Sequence, residues 1–104
     1  MAPWLALAVL TVLGVAAARR PPAERAREVL KAQRCGACHD STVSTENQRA
    51  LAVYDLTEPR WPARMSDAQL PKLLTRLKSA PAPDRKVVSD FIAAELKART
   101  SGRR

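Results

Sequence analysis

The stretch that most constrains this chain is Cys-Gly-Ala-Cys-His at residues 35–39. It holds both cysteines and the one histidine of the 104-residue sequence. Thiol and imidazole groups are the side chains that most often bind transition metals, form disulfides or attach cofactors. Any chemistry of that kind therefore centres on Cys35, Cys38 and His39, and the rest of the sequence has to supply their scaffold.

Three chemistries use two cysteines at this spacing. A structural zinc site takes four Cys or His ligands, and this chain offers three candidates crowded into five residues. A dithiol–disulfide couple normally begins a helix within a strand–helix–strand unit, whereas this motif follows a helical pattern. Covalent haem attachment uses the two thiols on the haem vinyl groups and the adjacent His39 as an iron ligand. Of the three, the motif most favours haem attachment, since this chemistry needs all five residues as one unit.

The first 18 residues carry no charged side chain and contain an apolar run from Trp4 to about Val15. Three alanines, Ala16 to Ala18, follow this run, which predicts a secretory signal peptide at residues 1–18 that is cut after Ala18. The run is shorter than the ~20 residues of a membrane span. An uncleaved tether or a buried helix remain the alternatives. Because haem attachment takes place outside the cytoplasm in bacteria, we expect an exported, periplasmic protein, membrane-tethered if the segment is retained.

Residues 19–104 show helical periodicity and no alternating strand pattern, which predicts a single all-α domain of about four helices. Ser66 and Gln69 have capping-box spacing, as have Thr45 and Gln48. The strongest apolar stripes are Leu70, Leu73, Leu74 and Leu77, and then Val87, Val88, Phe91, Ile92 and Leu96. The predicted helices cover residues 23–34, 46–54, a segment that starts near Leu70, and 84–99.

With a helix before Cys-Gly-Ala-Cys-His and an amphipathic helix closing the chain, the sequence resembles the class I monohaem c-type cytochromes. The resemblance covers most of residues 19–104 in layout, and Cys35, Cys38 and His39 match the specific motif. It implies a small fold in which the first and last helices cross and one covalent haem c fills the core. Phe91 on the last helix would then face Ala26 or Leu30.

The resemblance also implies a second axial iron ligand, for which a methionine is the natural candidate because the chain has no second histidine. Met65 is the one methionine after residue 18, and it lies in a proline-bearing loop before a helix. The alternative is that Met65 fills a gap in the core, with the iron either five-coordinate or bound by another donor such as Lys72 or an amine.

Trp61 is a candidate cofactor-binding residue. Its N–H, like the O–H of Tyr54, would reach a haem propionate, with Arg60 or Arg64 as charge partner. The alternative for Trp61 is that it packs a loop.

The net charge of +8 comes from 18 Lys and Arg against 10 Asp and Glu. A basic surface of this kind favours an acidic redox partner protein, and contact with an anionic membrane surface is a second option. The alternative is a solvated helix surface without a partner. Nucleic acid is not expected, because export is predicted and aromatic residues for base stacking are few. The basic residues in question are Arg25, Arg27, Lys31, Arg34, Arg60, Arg64, Lys72, Arg76 and Lys78.

These observations predict an electron-transfer protein that carries single electrons on a covalently attached c-type haem. It needs no catalytic acid, base or nucleophile, so we do not expect an enzyme. The alternative is a five-coordinate haem c protein that binds or senses a small ligand such as nitric oxide or carbon monoxide. Met65 separates the two, since an iron without that ligand keeps an open position.

Overall fold

The computed structural model describes residues 20–44 and 46–102. The predicted signal segment at residues 1–18 lies outside them. Within the described ranges the chain is all-α and contains no β-strand. No helix in these ranges is long and apolar enough to cross a membrane. The helices are α1 (Pro22–Ala32), α2 (Gly36–His39), α3 (Gln48–Val53), α4 (Lys72–Arg76) and α5 (Ala82–Gly102), with a 3₁₀ turn at Trp61–Arg64.

The first long helix, α1, packs against the last, α5, and this is the main helix–helix contact of the fold. α1 begins with Pro22 in its first turn, where a missing N–H costs no hydrogen bond. Phe91 lies in one buried cluster with Ala26 and Leu30, as the sequence predicted. Burial of each large apolar side chain stabilises the fold by about 1.5–3 kcal/mol. The buried residues of the two helices are Ala26, Val29, Leu30, Val88, Phe91 and Ile92.

Helix α1 ends at Ala32, two residues earlier than predicted, and does not run into the cysteines. Arg34 has a φ of 64°, the left-handed conformation that usually belongs to glycine at a helix end. The Cys35 N–H donates to the Leu30 carbonyl at 3.0 Å and the Arg34 N–H donates to the Lys31 carbonyl at 3.0 Å. These paired bonds form a Schellman turn, which redirects the chain so that Cys35 starts a separate helical turn.

The middle of the chain is built from short helices joined by capped turns. α3 starts at Gln48, two residues later than predicted, and its cap is Asn47, whose side chain accepts from the Ala50 N–H at 3.1 Å. The predicted cap Thr45 lies outside the described residues. The second capping box is confirmed, since the Ser66 hydroxyl accepts from the Gln69 N–H and the Gln69 side chain accepts from the Ser66 N–H.

That box opens a run of turns, and α4 begins at Lys72, just beyond Pro71. Leu70, Leu73 and Leu77 are buried as the stripe predicted, and Leu74 is partly buried. The last helix is longer than predicted at both ends, since it includes Ala82 and Gly102.

Two arginines tie the loops to the helix pair. Arg27 on α1 donates to the carbonyls of Glu58 and Pro59, at 2.8 and 3.1 Å. Arg99 on α5 donates to the carbonyls of Pro62 and Met65, at 2.8 and 2.6 Å. Arg27 was predicted to belong to the basic surface, yet a planar guanidinium fork is well suited to hold two carbonyls at once. The segment from 58 to 65 is thereby fixed from two sides.

Candidate functional site

The Cys-Gly-Ala-Cys-His motif forms one helical turn, α2, on the edge of the core. The Cys35 carbonyl accepts from the N–H groups of Cys38 and His39, at 3.2 and 3.0 Å. Cys35 is half-buried and packs against the core cluster, while Cys38 is exposed. Both are free thiols, so the two sulfurs are not joined to each other. The turn therefore presents two unlinked thiols beside one imidazole.

The Nδ1 atom of His39 lies 2.8 Å from the Ala50 carbonyl oxygen and 3.1 Å from the Tyr54 carbonyl oxygen. A carbonyl oxygen accepts hydrogen bonds and cannot donate, so Nδ1 carries the proton in this geometry. In the neutral imidazole the lone pair is then on Nε2, the nitrogen that is free to bind a metal. A backbone carbonyl is a common partner for the second nitrogen of a ligating histidine.

The chain that follows α3 runs alongside the residues after the motif and fixes them. The Leu56 N–H donates to the His39 carbonyl at 2.6 Å. The buried carboxylate of Asp55 accepts from the Ser41 N–H at 3.2 Å, the Thr57 N–H at 3.0 Å and the Thr57 hydroxyl at 2.8 Å. Burial by itself would raise the pKa of Asp55, but these hydrogen bonds outweigh it and lower the pKa to about 2.

Tyr54 lies at the centre of the site and is 5% exposed. Its phenol ring stacks on the His39 imidazole with centroids 3.8 Å apart and planes 8° from parallel. The pKa of Tyr54 is raised well above its usual value, first by burial and then by its neighbour Cys35. Burial likewise raises the pKa of the Cys35 thiol, although a hydrogen bond from Tyr54 and the charge of Arg76 oppose that shift. Tyr54 thus contacts two of the three motif side chains.

Trp61 is fully buried and packs between Tyr54 and Phe91, with ring centroids 5.5 and 5.1 Å away. Its indole N–H donates to the Ala23 carbonyl at 3.1 Å. This N–H was predicted to donate to a haem propionate, but in the structure it donates to the Ala23 carbonyl instead. A cofactor contact by Trp61 stays a prediction, and it requires the bond to Ala23 to be exchanged.

Met65 is 3% exposed and belongs to the same buried cluster as Tyr54 and Trp61. It follows the 3₁₀ turn, and Arg99 holds its carbonyl. Deep burial is also what a methionine shows when it fills a gap in a core. Its role as an iron ligand therefore stays a prediction.

The basic side chains differ in exposure and in whether they form ion pairs. Arg64, expected to be a surface charge or a propionate partner, pairs with Glu58 at 2.6 Å. Arg27 pairs with Glu24 and is mostly covered. Arg76 is exposed, and its charge acts on both Cys35 and Tyr54. Other exposed basic residues of the predicted surface are Arg25, Lys31, Arg34, Arg60, Lys72 and Lys78.

An open groove of about 500 Å³ lies elsewhere, between α1 and α5. Arg25, Val29 and Val87 line it with others, and acidic Glu28 and Asp84 do too. It includes no residue of the motif. Within residues 20–44 and 46–102 no three His, Cys, Asp or Glu side chains are grouped as a metal site.

Comparison with protein-family models, with curated proteins and with solved structures finds no match for this chain. Sequence reasoning selected Cys35, Cys38 and His39 as candidate residues, but it missed the contacts that hold His39. Two of its partners are main-chain carbonyls, which no residue identity reveals. The sequence placed Tyr54 at the end of a predicted helix, but this position gave no indication that its ring stacks on His39.

Proposed function

We propose that this protein is a monohaem c-type cytochrome that transfers single electrons. In this proposal Cys35 and Cys38 would hold the haem through thioether bonds and His39 would bind the iron through Nε2. The observation that carries the proposal is the hydrogen bonding of His39. Its Nδ1 donates to the Ala50 and Tyr54 carbonyls, which leaves Nε2 available as a ligand atom on the turn that carries two free thiols.

The donor set fits a c-type haem by its chemistry. Two unlinked thiols on one helical turn, followed at once by an imidazole with a free lone pair, are the groups that covalent attachment uses. When bound, the haem supplies an iron that cycles between the ferrous and ferric states. The chain would then hold the His39 imidazole, shield it from water and set its basicity. The hydrogen bonds that Nδ1 donates to two carbonyls make Nε2 more basic and so a stronger ligand for iron.

The pKa of Cys35 argues against a dithiol redox protein. A nucleophilic redox cysteine has a lowered pKa, because neighbouring positive charge or a helix N-terminus stabilises its thiolate. Here burial raises the pKa of Cys35, and the opposing effects of the Tyr54 hydrogen bond and the Arg76 charge do not cancel it. A thiol of this kind is suited to become an uncharged thioether, which tolerates an apolar environment.

Met65 would supply the second iron ligand in this proposal, and its burial in the cluster that contains Tyr54 is compatible both with this role and with a core-filling role. A thioether ligand would raise the reduction potential and favour electron transfer over ligand binding. The competing function is a five-coordinate haem protein for nitric oxide or carbon monoxide. This second function is favoured if Met65 only packs in the core and does not bind the iron.

Export to the periplasm and an acidic redox partner complete the proposal. Cys38 is exposed, and Lys31 and Arg34 are exposed on the chain that leads to it. With exposed Arg76 acting on Cys35, these residues supply positive charge around the motif. Opposite charge on a partner would raise the rate of encounter, and the rate would fall with ionic strength.

The test is an optical absorption spectrum of the protein produced in an exporting host with haem-maturation machinery. We expect haem that stays attached after denaturation and acid extraction. A low-spin ferric spectrum with the weak sulfur-to-iron charge-transfer band supports Met65 ligation, and Met65→Ala should abolish that band. A high-spin spectrum that shifts when carbon monoxide is added to the ferrous form favours the ligand-binding function instead. A protein free of haem under these conditions refutes the proposal.

A further inference from the structure

We propose that Tyr54 is the positioning residue that fixes the rotation of the His39 imidazole, and so the orientation of the axial ligand plane. The inference rests on the proposed function, because the ligand plane acquires a magnetic signature once His39 binds iron. It assigns to Tyr54 a role different from the propionate contact that its hydroxyl first suggested.

Two contacts from the same residue hold the imidazole in different directions. The Tyr54 carbonyl lies 3.1 Å from Nδ1 and constrains the edge of the ring. The Tyr54 phenol lies flat against the face of the ring, with centroids 3.8 Å apart. A hydrogen bond donated by Nδ1 to a carbonyl leaves the imidazole free to rock about the Cβ–Cγ bond, since carbonyl acceptors tolerate a broad range of angles. Adding a parallel aromatic face removes that freedom.

The Tyr54 ring is itself held in place by packing, so it can fix the orientation of the His39 imidazole. Its side chain is 5% exposed, and the indole of Trp61 packs against it at 5.5 Å with planes 60° apart. Trp61 is in turn anchored to α1 by its bond to the Ala23 carbonyl. Tyr54 directly follows the last residue of α3 and has an extended backbone, with φ −162° and ψ 153°. In this conformation both its carbonyl and its ring contact His39. The orientation of His39 is thus linked to the α1–α5 core.

A fixed ligand plane has a measurable consequence. The direction of the imidazole plane sets how the iron d orbitals split in a low-spin ferric haem. That splitting determines the g values in electron paramagnetic resonance and the spread of the four haem methyl proton resonances. Ring orientation imposed by surrounding groups is a general feature of ligating histidines. A change of plane therefore alters these spectra even when ligands and attachment stay the same.

The experiment compares three variants of the ferric holoprotein. Tyr54→Leu removes the stacking face, and we expect a changed spread of the haem methyl resonances and altered g values. Tyr54→Phe keeps the face and the backbone carbonyl and removes only the hydroxyl that bonds Cys35, so its spectra should lie much closer to the wild type than those of Tyr54→Leu. Phe91→Leu is the control, because it removes an aromatic ring from the same core without touching His39. Wild-type spectra from Tyr54→Leu would overturn the inference, as would equal changes in all three variants.

A measurement on the unaltered chain decides the matter if Tyr54→Leu does not fold. Nuclear Overhauser contacts between the ring protons of Tyr54 and His39 are expected, together with an upfield ring-current shift of the His39 protons. Their absence from the folded protein overturns the inference. If the purified chain carries no haem, the proposed function fails, while these contacts still report separately whether Tyr54 positions the imidazole.

Discussion

The guanidinium of Arg99 donates to the main-chain carbonyl of Met65, with 2.6 Å between Nη1 and the oxygen. The same side chain holds the Pro62 carbonyl at 2.8 Å and pairs with Asp67 at 3.1 Å. One residue near the end of α5 thus fixes the loop that places Met65. Because the contacts go to carbonyls, they control the position of the backbone whatever the Met65 side chain binds.

Replacing Arg99 by leucine should loosen this loop. A hydrogen bond to a charged group contributes about 1.5–3 kcal/mol, and the two carbonyls lose their partner together, so we expect unfolding free energy to fall by about 2–3 kcal/mol. Chemical denaturation would measure the loss. If Met65 binds iron, its charge-transfer band should also weaken. Lys97→Leu on the same helix is the control, since Lys97 is exposed. Equal stabilities for the two variants would contradict the role of Arg99.

Asp55→Asn should destabilise the protein at neutral pH and have little effect in acid. The folded-state pKa of Asp55 is about 2, below its usual value of 3.8. Its carboxylate therefore stabilises the fold above about pH 4, and that stability is lost as pH falls towards 2. The expected difference at pH 7 is about 2 kcal/mol. Denaturation at several pH values would measure it. Asp90→Asn is the control, because it removes an exposed carboxylate on α5 and should change the free energy of unfolding at pH 7 by less than about 1 kcal/mol.

Arg34→Gly should stabilise the chain. Arg34 adopts a φ of 64°, which costs a non-glycine residue about 1–2 kcal/mol. Glycine removes that strain but loses more backbone entropy on folding, so the net gain is about 0.5–1 kcal/mol. Gln33→Gly is the matched control, because Gln33 has a φ of −88° and gains nothing from glycine. Thermal denaturation should rank Arg34→Gly above the wild type and Gln33→Gly below it. The reverse order would rule out the left-handed turn before Cys35.

Trp61→Phe distinguishes a core anchor from a cofactor contact. The smaller ring leaves unfilled space and orphans the Ala23 carbonyl, so we expect a loss of about 2–3 kcal/mol. If the indole serves packing alone, the reduction potential of the holoprotein should match the wild type. A shifted potential with unchanged iron ligation would instead support a propionate contact. Val43→Ala provides the surface baseline, since Val43 is 68% exposed.

Periodic features of this fold could be predicted from the sequence because they depend on side-chain identity. Leu70, Leu73 and Leu77 repeat with helical spacing and are buried. The Ser66–Gln69 box follows from two side chains that satisfy each other's backbone N–H. The end of α1 at Ala32 was not predictable in this way, since nothing in an arginine signals a left-handed conformation.

The contacts of His39 illustrate the same limit at the site. The motif identified the imidazole, but its partners come from residues 50 and 54, and one of them is an alanine. The contacts of Asp55 and Arg99 could not be predicted either. Asp55 accepts mostly from backbone N–H groups and Arg99 donates mostly to backbone carbonyls, and the tertiary fold brings these groups together. Local sequence patterns carry no information about such pairings.

The dependence of His39 on the Ala50 and Tyr54 carbonyls affects how this site responds to mutation. Substituting a side chain cannot delete a main-chain oxygen, so the tautomer of the imidazole is insulated from most point changes at residue 50. The tautomer is sensitive instead to insertions, deletions and proline substitutions that shift the path of the backbone after α3. In a lineage of such proteins, the length of the segment between His39 and Tyr54 should vary less than its composition.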